Sequence, residues 1–214
     1  MQHLLDIMAD IPALLARFDQ IKNFSLLGNK SPAQIAQLQT GLEALATDIK
    51  HGLHQWKSEW ADTYPHGQAN EVRFAQEDTL PTFQCRDPTT GEIVYPAVFV
   101  YPDPVLAQAM CHYYAALMIV FSVDTPPWED ATIHNIYHLA CLICRSMDYY
   151  IRTTVPVCLT ARVGFPFRVA YDGLPEGSTE RKYVERVFGL ISRVRVSRDF
   201  EPILEEVSVR QPSL

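Results

Sequence analysis

The sequence predicts an all-α fold, a single helical domain of five or six helices with a long irregular connection over residues 61–100. Three observations predict it. Apolar residues recur close to every 3.6 positions in both halves of the chain. Helix-start signals stand where those patterns begin. Between the two halves, Pro65, Pro81, Pro88, Pro96, Gly67 and Gly91 rule out a long helix.

Residues 1–26 place Leu4, Leu5, Met8, Ile11, Leu14, Leu15, Phe18 and Ile21 on a helical period, with Pro12 inside it. A kinked helix, or two short ones meeting at the proline, is expected. After Gly28-Asn29, Ser31 and Pro32 supply a hydroxyl cap and a first-turn proline for a second helix, to about Trp60. These two helices should lie antiparallel. Within the irregular stretch, Phe83–Arg86 and Glu92–Tyr95 flank Asp87-Pro88-Thr89-Thr90-Gly91, the pattern of a small hairpin. Asp103 and Pro104 open a third helix that is apolar nearly all round and therefore central. A fourth helix covers about 129–152, a short one opens at Phe165-Pro166 and ends near Tyr171, and Ser178 caps a sixth, to about Arg198. The domain is expected over residues 1–200, with 201–214 as a tail.

Composition narrows the function classes. With 48% hydrophobic and 20% charged residues, the chain has the balance of a folded domain rather than a disordered one. At 214 residues it should bury roughly 70% of its unfolded surface. Its longest apolar run, Tyr113–Phe121, is about half the ~20 residues of a membrane span. No membrane partner is expected. Five cysteines and no secretion signal point to reduced thiols. A net charge of −7 disfavours phosphate backbones as direct partners, so no nucleic acid is expected. The chain carries no Gly-rich phosphate loop, nucleophile elbow, catalytic carboxylate pair or dinucleotide fingerprint. No catalytic residue or cofactor is identified.

Two segments do resemble something specific: Ile143-Cys144-Arg145-Ser146-Met147-Asp148-Tyr149 and Phe165-Pro166-Phe167-Arg168-Val169-Ala170. They are similar to the paired helix motifs of the fungal-specific transcription-factor regulatory domain, the helical domain that follows the zinc binuclear cluster module in fungal regulators. Ile11-Pro12-Ala13-Leu14-Leu15 and the stretch Tyr95-Pro96 to Met118, with Tyr114-Ala115, also resemble that family. The likeness is diffuse over Leu4 to Phe200 and strongest after residue 95. It implies an effector- or protein-binding domain, a nuclear location and a link to fungal specialised metabolism. The zinc cluster itself is excluded, because its six cysteines in tight groups are replaced by cysteines 26, 30, 3 and 14 residues apart. Starting at Met1 without that module, the chain reads as a fragment or a stand-alone descendant.

The sharpest residue pattern lies on the fourth helix. His134, His138 and Cys141 stand at i, i+4 and i+7 on one face, which continues to Arg145 and Asp148. Three readings compete: a metal site, a pocket wall, and a solvated face with an Arg145–Asp148 pair. His-Asn-Ile-Tyr-His lacks the glutamate of a metalloprotease helix, and no bound metal is expected. Tyrosines crowd the same half of the chain and suit a cavity holding a flat, partly polar ligand. The candidate ligand-binding residues are therefore His134, His138, Arg145, Tyr114, Tyr137 and Arg168. The pocket should be shared with the third helix and the Phe165-Pro166 segment. Cys111-His112 is discarded as a dyad, because neighbouring helical side chains diverge by about 100°. Arg181, Lys182, Arg186, Arg193, Arg195 and Arg198 form a basic run best read as a solvated face.

Two functions follow from different classes. The preferred one is a regulator-type domain binding a small effector or a protein partner, with a homodimer among its expected assemblies. The alternative is a stand-alone enzyme, located in the cytoplasm, that uses the helical pocket for a cyclisation or isomerisation.

Overall fold

A central, largely buried helix organises the chain in the computed structural model, which describes residues 1–27, 32–73, 80–87, 89–124, 130–153 and 159–190. The elements are α1 (Gln2–Met8), α2 (Ile11–Leu27), α3 (Pro32–Trp56), β1 (Asn70–Val72), β2 (Cys85–Arg86), β3 (Ile93–Val94), β4 (Val98–Val100), α4 (Pro104–Asp124), α5 (Asp130–Thr153) and α6 (Leu159–Gly173). A further helical segment, α7, covers residues 179–190. The protein is all-α in class, with two short ribbons as its β-structure among the described residues. The proposed boundary at residue 200 lies outside the described residues.

α4 is the central helix. Leu106, Ala109, Met110, Tyr113, Ala116, Leu117 and Val120 are all buried, and α4 packs against α2, α3, α5 and α6. A helix surrounded on every side gains from being apolar on every side. Pro104–Val123 is also long and apolar enough to cross a membrane, but packing within the protein covers most of it. The Asp103 carboxylate caps the helix, accepting from the backbone N–H groups of Val105 (2.8 Å) and Leu106 (3.0 Å). Its other oxygen accepts the Tyr64 hydroxyl at 2.7 Å, which ties the segment after α3 to the start of α4.

The N-terminal pattern resolves into two helices, with Pro12 in the first turn of α2, where its missing N–H costs nothing. Arg17 donates to the Gly41 carbonyl and Ile7 packs on Gly52, so α1–α2 and α3 run antiparallel. The Ser31 cap lies outside the described residues. α3 ends in a π-turn, Lys57–Ala61, where Trp56 and Trp60 stack at 5.1 Å and Trp56 meets Tyr113 of α4 at 5.8 Å. The wide turn keeps both indoles on one face.

The 61–100 connection is more ordered than expected. The hairpin is present: Cys85 pairs with Val94 and Arg86 with Ile93, antiparallel. Its turn is closed by the Asp87 carboxylate, which accepts from Thr89 (2.7 Å) and Thr90 (2.9 Å), and by Gly91 at φ 73°. A second antiparallel ribbon joins β1 to β4, with Glu71 opposite Phe99. β4 lies against α5.

The helix expected to open at Phe165-Pro166 starts earlier, at Leu159, and Pro166 sits in its interior. Val163, Phe167 and Ala170 form a buried stripe at i, i+4 and i+7. Burying two large side chains outweighs the ~3 kcal/mol cost of an internal proline. Ser178 caps α7 by accepting from the Arg181 N–H at 3.1 Å. Residues 191–198 of the expected helix lie outside the described residues.

Candidate functional site

α5 carries the polar face singled out above, and the structure divides it. Arg145 is held three ways. Its Nε donates to the Ala97 carbonyl at 2.6 Å, a terminal nitrogen meets Glu71 at 2.8 Å, and the guanidinium lies 4.2 Å from the centre of the Phe99 ring. It thus clamps the β1–β4 ribbon onto α5. The Arg145–Asp148 pair, one of the three readings above, is not what forms: Asp148, 2% exposed, bonds Arg152 one turn later at 2.7 Å. A four-residue step suits that pair better, because i and i+4 side chains stack along the helix.

His134 and His138 are exposed on the outer part of the same face. Desolvation, then the neighbouring His134 and Arg145, hold His138 below the usual imidazole range. Tyr114, half-buried on α4, is pushed above the usual phenol range by burial and lies within the field of Arg145. These four residues share one electrostatic neighbourhood. Arg168 does not; it is exposed on α6 and pairs with Asp172 at 2.9 Å. Among the described residues, no group of three or more His, Cys, Asp or Glu side chains is placed to hold a metal ion.

The elements expected to share a cavity do share one. A cleft of about 420 Å³ opens between α4, α5 and α6, lined by Met118, Ile119, Ser122, Ile133, Ile136, Val169, Asp172 and Gly173. Its α5 wall is the Ile133/Ile136 side of the helix, one position round from His134 and Tyr137. His134, His138 and Arg145 are not among the residues that line it. Gly173 stands where the three helices come closest. A Cβ there would stand 2.5 Å from the Met118 methyl and 3.0 Å from Ile136. The glycine lets α6 approach both neighbours and close the end of the cleft.

Tyr137 belongs to a second cavity of about 400 Å³, lined by Arg86, Tyr137, Pro175, Glu176, Gly177, Ser178 and Glu180. Its hydroxyl donates to the Glu180 carboxylate at 2.6 Å, and the same oxygen accepts the Arg86 backbone N–H at 2.7 Å. Burial pushes the Glu180 carboxyl up, but the bonds from Tyr137, its own backbone N–H, Arg86 and Ser178 outweigh it and leave it low. Burial first, then the bond to Glu180, raises Tyr137 far above an ordinary phenol. The pair is therefore a carboxylate facing a neutral hydroxyl at neutral pH.

Sequence reasoning missed Glu180, Ile133, Ile136, Asp172 and Gly173 as site residues. Nothing local in the sequence marks the Ile133/Ile136 side of α5 as the open one.

The Arg145 geometry gives a direct test. Arg145→Met should lower the melting temperature by several degrees, from the loss of about 1.5–3 kcal/mol in charged hydrogen bonding to the Ala97 carbonyl. The exposed Glu71 contact should add little. Thermal unfolding followed by circular dichroism checks this, and an unchanged midpoint would count against the clamp.

No protein-family model matches the chain, and no curated protein or solved structure matches it.

Proposed function

We propose that this chain is an effector-responsive regulatory module of the kind found in fungal transcription regulators, with the α4–α5–α6 cleft as its small-molecule site. The observation that carries the reading is the cleft itself, about 420 Å³ with six apolar or glycine residues and two polar ones, Ser122 and Asp172, around it. Small-molecule sites typically combine apolar walls with a few placed polar groups. Such a lining favours a largely apolar ligand carrying one or two hydrogen-bonding groups. Occupancy would be relayed through a protein partner or a second copy of the chain, because a net charge of −7 repels DNA. The family resemblance adds a nuclear location and a role in controlling specialised metabolism.

Protein purified from its own host tests this by native mass spectrometry. A bound mass released on denaturation is expected. Ile133→Asp should strongly reduce it, because a carboxylate at the cleft wall penalises an apolar ligand. Ile133 is 53% exposed, so the fold should tolerate the change. Wild-type protein free of bound mass, or a variant equally loaded, would count against the reading.

One observation favours the enzymatic alternative. The Tyr137–Glu180 pair, joined at 2.6 Å, opens on the second cavity and offers a carboxylate base beside a hydroxyl donor. That arrangement suits an isomerisation by proton transfer. Turnover of a candidate substrate, lost in Tyr137→Phe, separates it from a regulator that binds without turnover.

A further inference from the structure

We infer that the α4–α5–α6 cleft selects a lipophilic amine, an apolar body with a protonated nitrogen as its hydrogen-bond donor. The inference rests on the reading of that cleft as the ligand site and adds the sign of the ligand's charge. Both polar side chains in the lining are acceptors. The Ser122 hydroxyl donates its hydrogen to the Ile119 carbonyl at 2.7 Å, so its oxygen presents lone pairs. One oxygen of the Asp172 carboxylate accepts from Nε of Arg168 at 2.9 Å, which leaves the second oxygen to accept from a ligand. Neither side chain has a hydrogen to offer. An anionic head would meet lone pairs from both helices.

The backbone points the same way. Ser122 lies in the last turn of α4, and Asp172 and Gly173 close α6. The last four carbonyls of a helix lack intrahelical partners and carry the negative end of its dipole. Two such ends therefore border the cleft. α5 enters by its positive end, but Ile133, its first residue in the lining, is the fourth of the helix. The dipole's influence falls off within that first turn. Arg168 is the competing cation. It is exposed and stands outside the lining, so water screens it while it holds Asp172 in place.

The rest of the wall sets the body of the ligand. Met118, Ile119, Ile133, Ile136 and Val169 offer apolar side chains only. A bare ammonium would lose hydration against them. Affinity therefore needs apolar surface beside the charge.

Isothermal titration of the full chain at neutral pH with phenylbutylamine, phenylbutanol and phenylbutyrate tests this, because the three share one apolar body. The amine is expected to bind about tenfold tighter than the alcohol, the scale of one charge-assisted hydrogen bond. The carboxylate should bind weakest. Butylamine keeps the charge without the body and should bind far more weakly than phenylbutylamine. Equal affinity for the two amines would mean simple attraction to an acidic chain and would overturn the proposal. Asp172→Asn should bring the amine down to the alcohol's affinity and leave the alcohol unchanged. An amine preference that survives this substitution would place the amine elsewhere. The wild-type ranking decides alone if the variant fails to fold. Alcohol or carboxylate binding as tightly as the amine would defeat the amine assignment and leave the cleft as a ligand site. Binding of none of the three would defeat the cleft reading and the proposal with it.

Discussion

Leu117→Asp should leave no cooperatively folded protein. Leu117 sits in the middle of α4, is 4% exposed, and belongs to the helix that packs against α2, α3, α5 and α6. The substitution removes the burial of a leucine side chain, worth about 1.5–3 kcal/mol. It also places a carboxylate within the cluster of buried apolar residues. An unpaired buried charge costs several kcal/mol more, or is neutralised at a similar expense by a raised pKa. The sum is of the order of the whole stability of a domain, about 5–15 kcal/mol. Circular dichroism and urea titration should show a flat, non-cooperative profile. A soluble variant with the wild-type urea midpoint would mean that α4 is not the core.

The next largest effect is expected at Arg152. Its bond to Asp148 spans 2.7 Å, with the two side chains 14% and 2% exposed. Arg152→Met keeps much of the aliphatic length but takes the cation from a buried carboxylate. Breaking such a pair from one side typically costs about 3–5 kcal/mol, whereas replacing both partners by apolar groups is often close to neutral. Arg152→Met should therefore lower the urea midpoint sharply, and Asp148→Leu combined with Arg152→Met should recover part of the loss. The recovery separates charge burial from simple loss of packing. Equal midpoints for Arg152→Met and the wild type would show that the Arg152 bond contributes nothing to stability.

What could be read from the sequence follows from how local each signal is. The α4 start was legible because Asp103 and Pro104 act on their own backbone within three residues. The β2–β3 turn was legible for the same reason, its Asp87 side chain closing on Thr89 and Thr90. The β1–β4 ribbon was not, because its strands are short and 25 residues, three of them proline, separate Val72 from Val98. The early start of α6 was hidden by Pro166, whose local penalty is overruled by the burial of Val163 and Phe167.

The candidate site shows the same division. Periodicity put His134, His138 and Arg145 on one side of a helix, and they are on one side. It could not say that β4 would cover Arg145 while the Ile133/Ile136 face stayed open to a cleft. Gly173 at the end of α6 carries no signal in the sequence pattern. Its importance lies in the distance to Met118 and Ile136, which depends on three helices at once.

The central claim is that the α4–α5–α6 cleft is the ligand site. Hydrogen exchange of host-purified protein, before and after mild removal of its bound mass, tests it most directly. The account predicts that removal speeds exchange in the end of α4 around Met118 to Ser122, the start of α5 around Ile133 to Ile136, and the end of α6 around Val169 to Gly173, with β2 and residues 175–180 unchanged. Faster exchange at Arg86, Tyr137 and residues 175–180 alone would contradict it and move the ligand to the Tyr137–Glu180 cavity.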